Sequence, residues 1–232
     1  FEKFYAEEVS HEPVMLKGLI EGWDVLESRG SAEHRVLLIG NASGEKRILK
    51  QFSHHQNARM QAEREALNSA HENGIPKLYD YAEDEHYVYL VREYVEGLNL
   101  EEHVNEHGTL SMRETAHIAA QLCEVLARLH RRNIIHRDVK PQNVILTPDR
   151  RVYLIDFDIS RKYTQGEQHD TEYLGTRSIA PPEQFGYGQT DARTDIYSLG
   201  VVILYLATGS YDLRDLGKLP RPLRQVVRRC TY

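Results

Sequence analysis

The chain has 232 residues, 41% hydrophobic and 28% charged, with a net charge of −6 at pH 7. That length can bury a sizeable core, as one large domain or as two lobes sharing a cleft, and the composition is that of a soluble globular protein. The acidic balance argues against nucleic acid as the main partner. No apolar run reaches the roughly 20 residues needed to cross a bilayer, and no signal peptide is visible.

The two cysteines are Cys123 and Cys230. Cys123 falls on the apolar side of a predicted helix, so a buried free thiol in a reducing compartment is expected. The chain opens at Phe1 and stops at Tyr232, directly after an apolar-basic helical pattern. An excised domain is expected, cytoplasmic itself, from a parent that could carry a membrane anchor elsewhere.

Residues 1–22 read as an N-terminal extension. The segments Trp23–Leu26, Arg35–Ile39, Lys46–Phe52 and Tyr87–Glu93 then mix apolar and polar residues at period two, which predicts strands. Asn41-Ala42-Ser43-Gly44 is a turn signal between two of them. Strong helix formers fill Gln56–Ala70, and Gly74-Ile75-Pro76 ends that stretch. From Leu100 the pattern turns helical. Ser111 and Glu114 form a capping box, behind which Ile118, Leu122, Val125, Leu126 and Leu129 share one helix face. Asp195–Ala207 is nearly all apolar, a helix buried on most sides, closed by Gly209. A strand-rich part (23–96), a polar joint near Glu96-Gly97 and a helical part (97–232) together predict two lobes with a ligand cleft between them.

Between the two long helices lies a polar constellation. His136-Arg137-Asp138 is followed by Lys140 and Asn143, then by the apolar run Val144–Leu146, the turn at Pro148-Asp149, the strand Val152–Ile155 and Asp156. A hairpin thus brings two carboxylates, an amide oxygen and an ammonium to one end of the fold. Those groups suit Mg²⁺ and phosphate: hard oxygen ligands for the metal, positive charge for the anion.

The run HRDVKPQN followed by Asp156-Phe157-Asp158 resembles the catalytic loop and metal-binding segment of protein kinases. The likeness extends through Gly175-Thr176 and Ala180-Pro181-Pro182-Glu183, similar to the end of an activation segment. It continues through Asp195–Gly200, similar to the helix whose Asp clamps the catalytic loop, and Leu90–Gly97, similar to the adenine-binding hinge. It implies an α+β, bilobal protein-kinase fold with a small antiparallel-sheet N-lobe carrying one helix and a larger helical C-lobe. Lys140, together with Thr176 in a Gly-Thr pair, resembles Ser/Thr rather than Tyr kinases, and Glu183–Gly200 resembles bacterial Ser/Thr protein kinases.

Roles follow from the resemblance. Asp138 would accept or orient the substrate hydroxyl proton, and Lys140 would neutralise the transferring phosphoryl group. Asn143 and Asp156 would hold Mg²⁺, and Lys50 would bind the α- and β-phosphates of ATP. Glu63 is the expected ion-pair partner of Lys50, with Glu65 second. Val36 would pack on the nucleotide, and the hinge contacts would come from Glu93 and Val95. Arg137 before Asp138 resembles kinases switched on by activation-loop phosphorylation, with autophosphorylation expected at Thr171, or at Thr164 as second choice.

The sequence also departs from the family pattern. Aligned on Val36, the glycine-rich loop at Ser28–Val36 puts Arg29, Ser31 and His34 at the three glycine positions, although Gly30 lies nearby. Backbone N–H groups approach phosphate best without side chains in the way, so this loop favours a pseudokinase. Asp158 replaces a glycine and would set an extra carboxylate near Mg²⁺. Arg92 stands at a usually hydrophobic position and is expected to pair with a carboxylate or to point away from the adenine pocket. The stretch from Lys50 to Glu63 is short, and so is the region after Gly209, with a segment of the family pattern missing near Leu216-Gly217. The histidines are scattered without metal-ligand spacing, and Arg221, Arg224, Arg228 and Arg229 read as a solvated helix face. The expected function is transfer of the ATP γ-phosphoryl group to protein Ser/Thr hydroxyls. The alternative is a pseudokinase acting as a nucleotide-binding scaffold.

Overall fold

The computed structural model describes residues 14–31, 33–69, 74–162 and 191–232. Thr164, Thr171, Thr176 and Glu183 lie outside the described residues. The described chain separates into two compact units. The first takes the residues up to Met60 together with Lys77–Tyr94, and the second takes those of Gln61–Pro76 together with the chain from Val95 onward.

The first unit is a five-stranded sheet, all of whose strand pairs are antiparallel. Its strands are β1 (Trp23–Gly30), β2 (His34–Asn41), β3 (Lys46–Ser53), β4 (Leu78–Glu83) and β5 (Tyr87–Glu93), in the spatial order β1-β2-β3-β5-β4. The turn between β2 and β3 is pinned by Asn41, whose Oδ1 accepts hydrogen bonds from the Ser43 and Glu45 amides, while Gly44 takes φ +84°. Strand alternation sends Leu37, Ile39, Leu49, Tyr89 and Val91 to one buried face. Helix α1 (Val14–Leu19) covers that face: Leu16 is fully buried in the same cluster, with Leu19, Ile20, Trp23 and Tyr87 packed around it. Burying a leucine this way contributes about 1.5–3 kcal/mol. Leu16, Leu19 and Ile20 therefore belong to the core of this unit.

Helix α2 (Asn57–Ser69) follows β3 after a single 3-10 turn at His54–Gln56. The second unit is mainly helical. Helix α3 (Leu100–His107) starts at a capping box in which Asn99 Oδ1 accepts from the Glu101 and Glu102 amides and the Asn99 amide donates to Glu102 Oε2. Helix α4 (Met112–Arg131) opens on the predicted Ser111/Glu114 box and buries Ile118, Leu122, Val125, Leu126 and Leu129. Helix α5 (Ala192–Thr208) is buried along almost all of Thr194–Leu206 and ends at Gly209, whose φ of +72° is the left-handed cap that glycine supplies cheaply. A continuous 3-10 helix, Leu213–Lys218, runs through Leu216-Gly217 and leads to α6 (Arg221–Cys230). Helix α6 buries Leu223 and Val227 and leaves Arg221, Arg228 and Arg229 exposed.

Two small sheets complete this unit: β6 (Leu98–Asn99) pairs with β8 (Val144–Leu146), which pairs with β9 (Val152–Leu154), and β7 (Ile134–Ile135) pairs with β10 (Arg161–Lys162).

One sequence expectation needs correction. Cys123 is free but exposed, not buried. It sits one residue, about 100° of helix rotation, past Leu122, outside the stripe that α4 turns inward.

Candidate active site

The catalytic-loop residues lie between β7 and β8. Buried Val139 and Pro141 anchor the loop, and a 3-10 turn at Pro141–Asn143 feeds straight into β8. Val144–Leu146 and Val152–Leu154 then pair across the Thr147–Arg151 turn in full register, which carries the chain to Asp156. Arg137 and Asp156 both adopt φ +66°, a conformation that non-glycine residues take at a cost.

Asp195, fully buried on α5, holds this backbone. Its Oδ2 accepts from the His136 amide at 2.9 Å and lies 2.8 Å from His130 Nε2, and its Oδ1 accepts from the Arg137 amide at 2.8 Å. Two consecutive amides on one carboxylate aim the next residue, Asp138.

Asp138, Lys140 and Asn143 come together. Lys140 Nζ is 2.7 Å from Asp138 Oδ2, and Asn143 Nδ2 donates to the same oxygen and to the Asp138 carbonyl, both at 2.9 Å. The amide nitrogen of Asn143 is thereby committed, so its Oδ1 is the atom that can ligate a cation.

His136 is fully buried behind the loop. The Asp138 amide donates to its Nδ1 at 3.2 Å, so that nitrogen is the acceptor, and Nε2–H donates to the Ile155 carbonyl at 3.3 Å. Burial pushes its pKa down against the opposing carboxylates of Asp195, Asp138 and Asp156. The ring is a neutral brace with both nitrogens occupied, edge-on to the buried Phe157.

Asp156 and Asp158 flank Phe157, and each offers a carboxylate oxygen within 4.8 Å of the others and of buried Glu63 from α2. Three converging carboxylates repel one another unless a cation lies among them. An all-oxygen set suits a hard ion such as Mg²⁺. Around this segment, Ser160 Oγ donates to the Ala62 carbonyl at 3.3 Å and Arg137 Nε to the Ile159 carbonyl at 2.6 Å.

In the first unit, Lys50 lies on β3 directly opposite Val36 on β2 and Leu90 on β5, so the three share a sheet face. That face is the reverse of the one covered by α1. Lys50 is only 3% exposed. Glu93 ends β5, exchanging bonds with Lys77: its amide donates to the Lys77 carbonyl and its Oε2 accepts from the Lys77 amide. Val95 opens the second unit and is 9% exposed. Arg92 is 6% exposed, and its Nη1 donates to the Glu93 carbonyl at 3.0 Å.

The Ser28–Val36 loop is a tight hairpin. Pairing runs to Gly30 opposite Arg35, and the Ser31 amide donates to the His34 carbonyl at 2.9 Å. Gly30 has φ +103°, and a Cβ there would collide with the His34 carbonyl oxygen. The one glycine of the loop thus serves hairpin closure. Arg29 pairs with Glu27, and the His34 ring stacks on Phe52 at 4.2 Å.

Two contacts carry no sequence signal: His130 as a third partner of Asp195, and the bond from Gln142 Nε2 to Glu101 Oε1 at 2.6 Å. Both join residues tens of positions apart, where no local pattern signals contact.

A family model for the protein kinase domain matches residues 36–223, and the chain belongs to the protein kinase family. It is 32% identical over 152 residues to serine/threonine-protein kinase PrkC of Bacillus subtilis, covering 65% of this chain and 24% of the relative. It is 37% identical over 145 residues to serine/threonine-protein kinase B of Synechocystis, covering 58% and 25%. It is also 37% identical over 155 residues to serine/threonine-protein kinase PknB of Mycolicibacterium smegmatis, covering 63% and 25%. The chain spans about a quarter of the length of these curated relatives.

Proposed function

We propose that this chain is the catalytic domain of an ATP- and Mg²⁺-dependent serine/threonine protein kinase, working in the cytoplasm on protein substrates. The observation that carries the reading is the Asp138 carboxylate, held at 2.7 Å by Lys140 and at 2.9 Å by Asn143 on a backbone clamped by buried Asp195. Such a carboxylate can take the proton of an incoming hydroxyl while Lys140 faces the charge of the transferring phosphoryl group. Asn143 and Asp156 would hold Mg²⁺, with Asp158 adding a carboxylate beside them. The ion supplies charge neutralisation across the phosphates. Lys50 would bind the α- and β-phosphates and pair with Glu63, Val36 would pack on the adenine, and Glu93 and Val95 would supply the hinge contacts. Catalysis would be mainly positioning and electrostatics. Phosphate on Thr171, added by the kinase itself, would pair with Arg137. No helix among the described residues is long and apolar enough to cross a membrane.

One observation favours a second reading, a pseudokinase that binds nucleotide without turnover: the β1–β2 hairpin bears side chains at Arg29, Ser31 and His34 where close approach to phosphate favours glycine. Phosphoamino-acid analysis of a generic protein acceptor, after incubation with γ-labelled ATP and Mg²⁺, tests the first reading. Label on serine or threonine supports it, and label on tyrosine alone, or on no acceptor, contradicts it.

A further inference from the structure

We propose that His103 and His107 form a two-imidazole site for a divalent transition-metal ion (Zn²⁺, Ni²⁺ or Cu²⁺) on the surface of α3. Both residues lie on one eight-residue helix, four positions apart, so their side chains stand one above the other.

The rings already lie side by side, with centroids 4.6 Å apart and planes at 22°. Two nitrogens on one tetrahedral ion, each about 2.0–2.1 Å from it, sit about 3.3 Å apart. The in-plane lone pairs of stacked rings run side by side, so the rings must turn about their side-chain bonds to converge on one ion, a rearrangement that positions i and i+4 of a helix allow without moving the backbone. His107 is exposed and His103 half-buried, so an ion can reach both from solvent.

The hydrogen bonding leaves the right nitrogen available. His107 Nδ1 is 3.2 Å from the His103 carbonyl oxygen, which can only accept, so Nδ1 carries the proton and Nε2 keeps its lone pair. Among the described residues, no hydrogen bond engages the ring nitrogens of His103. A neutral imidazole is the ligating form. The competing reading is an unliganded stacked pair on a wet helix face. Both readings accommodate the bond between His107 Nδ1 and the His103 carbonyl, and metal titration separates them.

Imidazole nitrogen selects borderline ions over Mg²⁺, whereas the oxygen set of Asp156, Asp158 and Glu63 does the reverse. The two sites would therefore fill independently. An ion bridging positions i and i+4 would lock the last turn of α3 just before Gly108.

The test is calorimetric titration of Zn²⁺ into the chain with excess Mg²⁺ present, beside His103→Gln and His107→Gln. The expected result is one-to-one binding in the unsubstituted chain, lost in both variants, while both keep the parent's phosphotransfer activity. In parallel, substoichiometric Ni²⁺ should broaden the ring signals of His103 and His107 ahead of the other histidines, a readout that needs no variant to fold. No binding, binding unchanged in both variants (adventitious ion on other groups), or broadening that begins at other histidines would overturn the proposal.

Discussion

Removing the Asp195 carboxylate by Asp195→Ala should be among the most damaging single changes in the second unit. The side chain is fully buried and accepts from two backbone amides, His136 N and Arg137 N, at 2.9 and 2.8 Å, and it also lies 2.8 Å from His130 Nε2. Truncation leaves those two donors in a dry site with no acceptor. An unsatisfied buried donor costs about 1–3 kcal/mol, so the pair costs about 2–6 kcal/mol before any loss of packing. Domains are typically stable by about 5–15 kcal/mol, so the loss is a large share of the total. Arg137 worsens it, because its φ of +66° is a strained conformation that the second of these bonds helps to hold. The assay is urea denaturation of the chain and the variant with the slope held common. The midpoint should fall by an amount equivalent to at least about 2 kcal/mol, and phosphotransfer should fall with it as the loop carrying Asp138 loosens. Asp195→Asn keeps the shape and one acceptor oxygen, so it should recover part of the stability. A loss below about 0.5 kcal/mol, the scale of ordinary surface substitutions, would refute the clamp.

Two more outcomes follow from the structure. Gly30→Ala should cost at least about 1–3 kcal/mol, because φ is +103° and the new Cβ would meet the His34 carbonyl. An unchanged denaturation midpoint would mean that the hairpin closes differently. His136 has its pKa lowered in the folded chain, chiefly by burial, from an ordinary 6.5, so the unfolded chain binds the extra proton first. Its contribution to stability is therefore fully present above about pH 6.5 and is lost as pH falls below it, at up to about 1.4 kcal/mol per pH unit. His136→Asn should flatten that part of the stability profile, and a slope identical to the parent's would remove His136 from the account.

Where the chemistry is contiguous, the sequence is easy to read. Asp138, Lys140 and Asn143 sit within six residues, and the apolar runs on either side of the Thr147–Arg151 turn made the hairpin that presents Asp156 legible. The long-helix stripe behind Ser111 was equally plain. The far half of β1 is not: the strand runs four residues past Leu26, to Gly30, and this exposed edge segment carries no alternation to detect. Asn99 and Glu102 carry the capping-box spacing, which marks the start of α3. Leu16 looked like part of an extension because a six-residue helix is too short to show a period, and only the sheet face beneath it reveals its role. The convergence of Glu63 with Asp156 and Asp158 spans more than ninety positions, and spacing within a segment says nothing about it.

The central claim is that Asp138 acts as the base of a working kinase despite the glycine-poor hairpin at Ser28–Val36. The most direct test is a single-turnover measurement of γ-phosphoryl transfer from Mg²⁺-ATP by the chain and by Asp138→Asn, with nucleotide affinity measured on both. The account predicts transfer by the chain, a fall of at least about a hundredfold in the variant, and little change in nucleotide affinity. Nucleotide bound by both with no transfer by either would contradict it and leave the scaffold reading in its place.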